Sequence, residues 1–213
     1  VSESINDSAA DPVVDNRYWR PMLWRAIVLA VVAVVVAFSP DHSIRFGWTV
    51  FAIVAAATAI TVEFGARRVS ESESRLTLRL IVVISALVTL WSLYCLTWGS
   101  PVLIVTMLIW AAATGIIELV AGLRIRGRDP VSREWVASGV ITMIFAIALL
   151  LVPADYSLTY EVPVKDGEPL ILVLDAPVIA VGLLGAYAAL LGVYLVIAAI
   201  SLRPARIVQE VAA

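Results

Sequence analysis

Residues 80–117 read LIVVISALVTLWSLYCLTWGSPVLIVTMLIWAAATGII, without a charged side chain from end to end. A helix needs about 20 mostly apolar residues to cross roughly 30 Å of hydrocarbon, and this run is nearly twice that long. In its middle stand Gly99, Ser100 and Pro101. Proline cannot continue a helix and glycine favours the turn, so the run predicts two crossings joined by a tight bend. Further uncharged stretches cover 26–40, 46–62, 135–154 and 176–202. Together they predict six helices, near 22–39, 47–66, 80–98, 101–123, 135–152 and 177–202. No alternation of the outer-membrane barrel kind appears.

Composition agrees. The 213 residues are 62% hydrophobic and 15% charged, against roughly 45–50% and about 25% in soluble domains. Mean hydropathy is +0.97. A secreted enzyme, a nucleic-acid binder and a disordered regulator are excluded. The fold class is an all-α integral membrane protein whose six helices form three tandem hairpins, about 22–66, 80–123 and 135–202. An acidic, disordered tail over 1–20 precedes the membrane domain of 21–206, and a short tail over 207–213 follows it. The first sixteen residues lack the basic start of a signal peptide, so helix 1 is expected to serve as the insertion signal.

Orientation follows from the basic residues. Arg17, Arg20 and Arg25 precede or open helix 1, Arg67, Arg68, Arg75 and Arg79 lie between helices 2 and 3, Arg124, Arg126, Arg128 and Arg133 between helices 4 and 5, and Arg203 and Arg206 follow helix 6. Only Arg45 and Lys165 fall on the other side. The positive-inside rule then puts both termini in the cytoplasm. Trp19, Trp24 and Trp135 are expected at the inner boundary and Trp48 and Trp98 at the outer one, with Trp91 and Trp110 deeper, packed between helices. Arginine in place of lysine and abundant Ala and Val suggest a GC-rich bacterial genome, hence a bacterial inner membrane. The initial Val fits a GTG start.

A repeat runs through the even-numbered helices. Phe51-Ala52 precedes Ala56, Trp110-Ala111 precedes Gly115, and Tyr187-Ala188 precedes Gly192, each as aromatic, Ala, three residues, small. The pairs Ala52/Ala56, Ala111/Gly115 and Ala188/Gly192 are four apart and share a helix face, which lets backbones approach where lipid supplies no hydrophobic drive. Their expected role is packing. The outer turns rhyme as well: Ser39-Pro40, Ser100-Pro101, Val152-Pro153. The copies are parallel rather than the inverted repeats usual in secondary transporters.

The third unit runs from Arg133-Glu134-Trp135-Val136-Ala137-Ser138-Gly139 to Val152-Pro153, then from Gly185-Ala186-Tyr187 to Gly192 and Leu202-Arg203. It resembles the HdeD-like acid-resistance membrane proteins, whose hairpin has an entering Trp and Gly, an outer Pro and a Gly-containing exit helix ending in Leu-Arg. Helix 4 fits from Trp110 and Gly115 to Leu123-Arg124, and the resemblance covers about 20–206. Helices 1 and 3 depart from it, with Ala26 and Ser85 near the place of the unit's Gly. The resemblance implies a six-helix inner-membrane protein associated with acid stress, and no catalytic residue.

Two carboxylates interrupt the apolar runs. Such a charge at mid-bilayer costs about 2.5–3.5 kcal/mol on insertion scales. Glu63, a candidate intramembrane acid, stands one turn before Arg67 and can pair with it while reaching the headgroups. Glu118 is six residues before Arg124, roughly 9 Å of rise, and is the candidate intramembrane acid for proton handling or partner binding. The repeat puts Ala59 and Leu195 at its equivalent positions, so the scaffold does not require an acid there. Against a proton path, helices 3, 5 and 6 are expected to add no ionisable group. His42, the sole histidine, is expected to be a turn residue, although external acidification would charge it. Cys95, the sole cysteine, excludes an internal disulfide. No motif points to an enzyme, a cofactor or a metal.

The outer loop over 153–176 is the most distinctive segment. It carries Asp155, Glu161, Asp166, Glu168 and Asp175 against Lys165. Its runs Thr159-Tyr160-Glu161-Val162-Pro163-Val164 and 170–174 flank Asp166-Gly167, a pattern that predicts a short β-hairpin. Two strands alone are marginal in water, so the hairpin should rest on the helices or on another protein. Tyr156, Tyr160, Glu161, Asp166 and Glu168 are the candidate docking residues. A tolerated insertion is the alternative, because long surface loops cost little. The expected partners are membrane lipid and other membrane proteins or a second copy, not nucleic acid. The functions in view are a non-enzymatic HdeD-like protein serving envelope or acid-stress tolerance, an accessory subunit of a larger respiratory or envelope-biogenesis complex, and a small transporter or channel using Glu118.

Overall fold

The third helix, α3 (Ser72–Trp98), stops where the sequence requires it. In the computed structural model Gly99 has φ +61° and the Ser100 N–H reaches back to the Cys95 carbonyl at 3.3 Å. This is a Schellman ending, which a glycine makes at no steric cost. The next helix, α4 (Leu103–Arg124), follows directly. The remaining helices are α1 (Trp19–Phe38), α2 (Ile44–Ala66), α5 (Ser132–Leu150) and α6 (Ala176–Ser201), and all six are long and apolar enough to cross a membrane. The structure describes residues 19–67, 72–127, 132–163 and 170–201. The acidic N-terminal tail, the C-terminal tail, Arg17, Arg68, Arg128, Arg203, Arg206, Lys165, Asp166 and Glu168 lie outside them.

Helix ends differ from expectation both ways: α4 begins at Leu103 rather than 101 and α5 ends at Leu150 rather than 152, where Pro101 and Pro153 stand close by, while other helices start earlier. α3 begins eight residues before 80 and takes Arg75 and Arg79 into its first turns, and α5 takes in Arg133 and Glu134. Helical hydrogen bonding continues past the uncharged run, whereas an uncharged-run criterion halts at the first arginine.

Consecutive helices are neighbours, and α1 closes the ring against α6. Inside the ring α2, α4 and α6 touch one another, with α1, α3 and α5 around them. The most extensive pairings are α4 with α5, α1 with α6 and α2 with α3. The tightest partners are therefore not the helices joined by the α1–α2 and α3–α4 turns, nor α5 and α6. Glycines account for two of these pairings. A Cβ on Gly139 would stand 2.9 Å from the Gly115 carbonyl oxygen, and one on Gly122 would stand 2.7 Å from the Val136 nitrogen, so α4 and α5 pack backbone to backbone. Gly192 faces the α1 backbone at Ala26 and Ala30. Ala111 and Ala188 are fully buried and Ala52 nearly so, while Ala56 is half-buried.

The three repeat aromatics meet in the middle. Phe51 and Trp110 lie edge to face at 5.4 Å, Trp110 and Tyr187 at 6.4 Å, and Phe145 stacks on Tyr187 at 4.6 Å. The Trp110 indole donates to Ser85 Oγ at 3.1 Å, and Thr142 Oγ1 lies 3.2 Å from the Tyr187 hydroxyl. Each polar tip is thus served by the preceding helix of its own hairpin. Two tryptophans depart from expectation. Trp48 stands at the turn end of α2 but is fully buried there instead of facing outward, its indole donating to the Ser100 carbonyl at 2.9 Å, because α2 is an inner helix. Trp91 is half-exposed, not packed within, because α3 lies on the periphery.

Candidate functional site

The polar residues of the bundle gather toward the end at which α1 begins and α6 finishes. Arg25, Glu118 and Ser138 each lie six residues inside that end of their helices, α1, α4 and α5, about 9 Å deep. Arg25 Nη1 donates to Glu118 Oε1 at 3.1 Å, and Ser138 Oγ donates to Glu118 Oε2 at 2.8 Å. All three are buried. Arg25 is accordingly not a boundary charge: it points inward and neutralises the acid that was the candidate intramembrane group. Both carboxylate oxygens are occupied, which is the condition for a buried ion pair to be tolerated.

The α5 face continues the cluster in both directions. Glu134, Ser138 and Thr142 are spaced by four and buried, hence stacked on one helix face. Glu134 accepts from the Tyr194 hydroxyl at 2.6 Å. Thr142 meets Tyr187, at the edge of the aromatic cluster. Helix 5 thus does contribute an ionisable group, contrary to expectation. A cavity of about 30 Å³ lies against Arg25, Thr61, Glu118, Glu134 and Ser138, room for about one water. The sequence carried a signal for this stripe, the four-residue spacing of 134, 138 and 142. Nothing local marked Arg25 as the partner of Glu118, because the two lie 93 positions apart.

Glu63 behaves as its spacing suggests. Its carboxylate accepts from Arg67 Nε at 2.7 Å, with the Arg67 side chain 65% exposed.

The opposite end carries the hairpin. β1 (Ser157–Val162) pairs antiparallel with β2 (Leu170–Asp175) in the register Ser157↔Asp175 to Val162↔Leu170. β2 runs into α6 without a linker, and Asp175 Oδ1 caps α6 by accepting from the Val178 N–H at 3.0 Å. Every β1 residue is exposed. The pleat puts Leu158, Tyr160, Leu172 and Leu174 on one face. Tyr160, Leu172 and Leu174 line a cleft of about 630 Å³ shared with Pro40, His42 and Ile44 of the α1–α2 turn. Of the candidate docking residues, Tyr156, Tyr160 and Glu161 are exposed in this segment, Tyr160 lining the cleft and Glu161 on the opposite face of the pleat.

In the facing turn, Asp41 Oδ1 accepts from the Ser43 N–H at 2.8 Å, and Ser43 Oγ in turn accepts from the Phe46 N–H at 3.3 Å to cap α2. The Ser43 hydrogen bonds hold the Asp41 carboxyl below its ordinary range. His42 lies edge-on to Phe46 at 6.1 Å. Among the described residues no three His, Cys, Asp or Glu side chains gather as a metal site. No family model matches the chain, and no curated protein or solved structure matches it significantly.

Proposed function

We propose that this chain is a non-enzymatic multi-pass membrane protein that works by docking: the six-helix bundle is a static platform and the β-hairpin is its binding element. One observation carries this reading. The hairpin is exposed along all of β1, yet β2 is rooted in α6 through the Asp175 cap. Two strands alone do not hold themselves in water, so a hairpin held out from a rigid base is suited to completion by a partner.

The bundle supports the static half. Phe51 and Trp110 are fully buried and Tyr187 nearly so, where α2, α4 and α6 meet. Glu118, the residue a transporter would use, is held by Arg25 and Ser138. We further propose an HdeD-like organisation in a bacterial inner membrane, with the termini in the cytoplasm, the hairpin outside and a role in envelope or acid-stress tolerance. What supports it is that the three equivalent aromatics Phe51, Trp110 and Tyr187 converge on one centre, as parallel copies arranged around an axis do.

Affinity purification from native membranes in mild detergent tests the docking reading. Replacing residues 157–175 with a short Gly/Ser linker should strip bound partners. An unchanged partner set overturns the reading. Acid survival unaffected by loss of the protein discards the stress role.

A further inference from the structure

The hairpin has one edge whose chemistry defines what it can take. Ala176 N–H donates to the Tyr156 carbonyl at 3.1 Å, one step beyond the Ser157↔Asp175 pair. Antiparallel pairs alternate between hydrogen-bonded and non-bonded. Tyr156, Leu158, Tyr160 and Val162 therefore turn their backbone groups toward β2, and Ser157, Thr159 and Glu161 turn theirs outward. Among the described residues none bonds to these outward groups. An edge of this kind is a template for another strand.

Side chains fix the character of the guest. On one face of the pleat it would lie beside Leu158 and Tyr160, on the other beside Ser157, Thr159 and Glu161. At this end of the bundle the described charges are Asp41, Asp155, Glu161 and Asp175 against Arg45. Opposite charges across a strand pair stabilise it and like charges destabilise it. An acidic or neutral guest has no such complement.

We propose that the outward edge of β1 binds an extended polypeptide segment in which aliphatic and basic residues alternate, adding it as a third antiparallel or parallel strand. The proposal rests on the docking reading above and names its partner chemistry. The aliphatic side chains extend the face formed by Leu158, Tyr160 and Leu172, and the basic ones pair with Glu161.

The test uses the full chain in phosphatidylcholine nanodiscs, whose zwitterionic surface does not itself collect cations. The probe is a synthetic Lys-Val octapeptide, with a Glu-Val octapeptide as its counterpart. The Lys-Val peptide should bind and protect the Ser157, Thr159 and Glu161 amides from exchange, and the Glu-Val peptide should not. Thr159→Pro removes an outward N–H while sparing the ladder to β2, since an edge strand tolerates proline where its N–H faces away from the ladder. It should weaken binding by at least about tenfold, and Glu161→Lys by a similar factor. Equal binding of the two peptides overturns the proposal. So does unchanged Lys-Val binding by Thr159→Pro with the Leu158 and Tyr160 amides still protected, or a nanodisc dimer dissolved by that variant, which would give the edge to a second copy. Native partners lost with the 157–175 replacement yet kept by Thr159→Pro would leave docking standing and strand addition refuted. Partners kept by both would refute docking itself.

Discussion

Arg25 and Glu118, six residues inside their helix ends, differ from Glu63 and Arg67 at the end of α2. The inner pair is buried and the outer one rides on an exposed arginine. Removing one partner of a buried pair costs about 3–5 kcal/mol, since the other is left uncompensated, while replacing both by apolar groups is often neutral. Glu118→Ala should therefore lower the thermal midpoint in detergent sharply, and Arg25→Met with Glu118→Leu should recover most of it. A single variant as stable as the parent would mean that the pair is not closed in the membrane. Glu63→Gln should change stability by less than about 1 kcal/mol. At the other end, Asp41 is held below the ordinary carboxylate value of about 3.9. A depressed folded value means that its contribution is complete above that ordinary value and lost as pH falls through the lowered one. Protection of the Ser43 amide, which donates to Asp41, should therefore be lost only in strong acid, and Asp41→Asn should remove that dependence. Glu118 was legible as a candidate because a carboxylate stands out among aliphatics. Arg25 was not, because an arginine near a helix end has the same sequence appearance whether it reaches outward or inward.

Glycine positions separate the elements that must touch from those that merely run past each other. A methyl on Gly139 meets the Leu119 nitrogen at 2.7 Å and the Gly115 oxygen at 2.9 Å, both of them backbone, whereas one on Gly182 meets nothing within 4 Å. Gly139→Ala should force α4 and α5 apart and cost about 1–3 kcal/mol as overpacking does. Gly182→Ala should be neutral or stabilising by up to about 1 kcal/mol, the helix propensity difference. Comparing the two thermal midpoints checks the pairing of α4 with α5; equal effects would contradict it. The six helices were legible because the apolar runs and Gly99-Ser100-Pro101 speak locally. So was the β-hairpin, from its strand patterns, although β1 begins at Ser157 rather than Thr159. Which helices pair most closely was not legible, because a small-xxx-small face marks a close approach without naming the partner. The stripe Glu134, Ser138, Thr142 was written in the spacing, but hydroxyls among valines draw no attention until their partners Glu118 and Tyr187 are beside them.

Taken whole, the molecule is a ring of six helices with aromatic rings at its centre, a closed polar cluster toward one end and an open hairpin at the other. Protons added outside liposomes holding the protein should leak in no faster than into empty ones; a protein-dependent flux abolished by Glu118→Gln would overturn the static reading. Trp110→Ala should cost about 3–5 kcal/mol through the cavity it leaves, read as a fall in thermal midpoint. The ring also imposes a timetable on biosynthesis. Arg25 enters the membrane with the first helix, yet its carboxylate partner is 93 residues behind it, about 5–20 s at translation rates of about 5–20 residues per second. During that interval α1 carries an uncompensated cation six residues inside its end, and its Val-rich remainder must hold it in place. The first helix also waits for the last, since α1 packs against α6. A chain stalled after α3 holds an arginine without its acid and an α1 flank without its neighbour, so quality control has a charged, unclosed intermediate to recognise until α4 arrives.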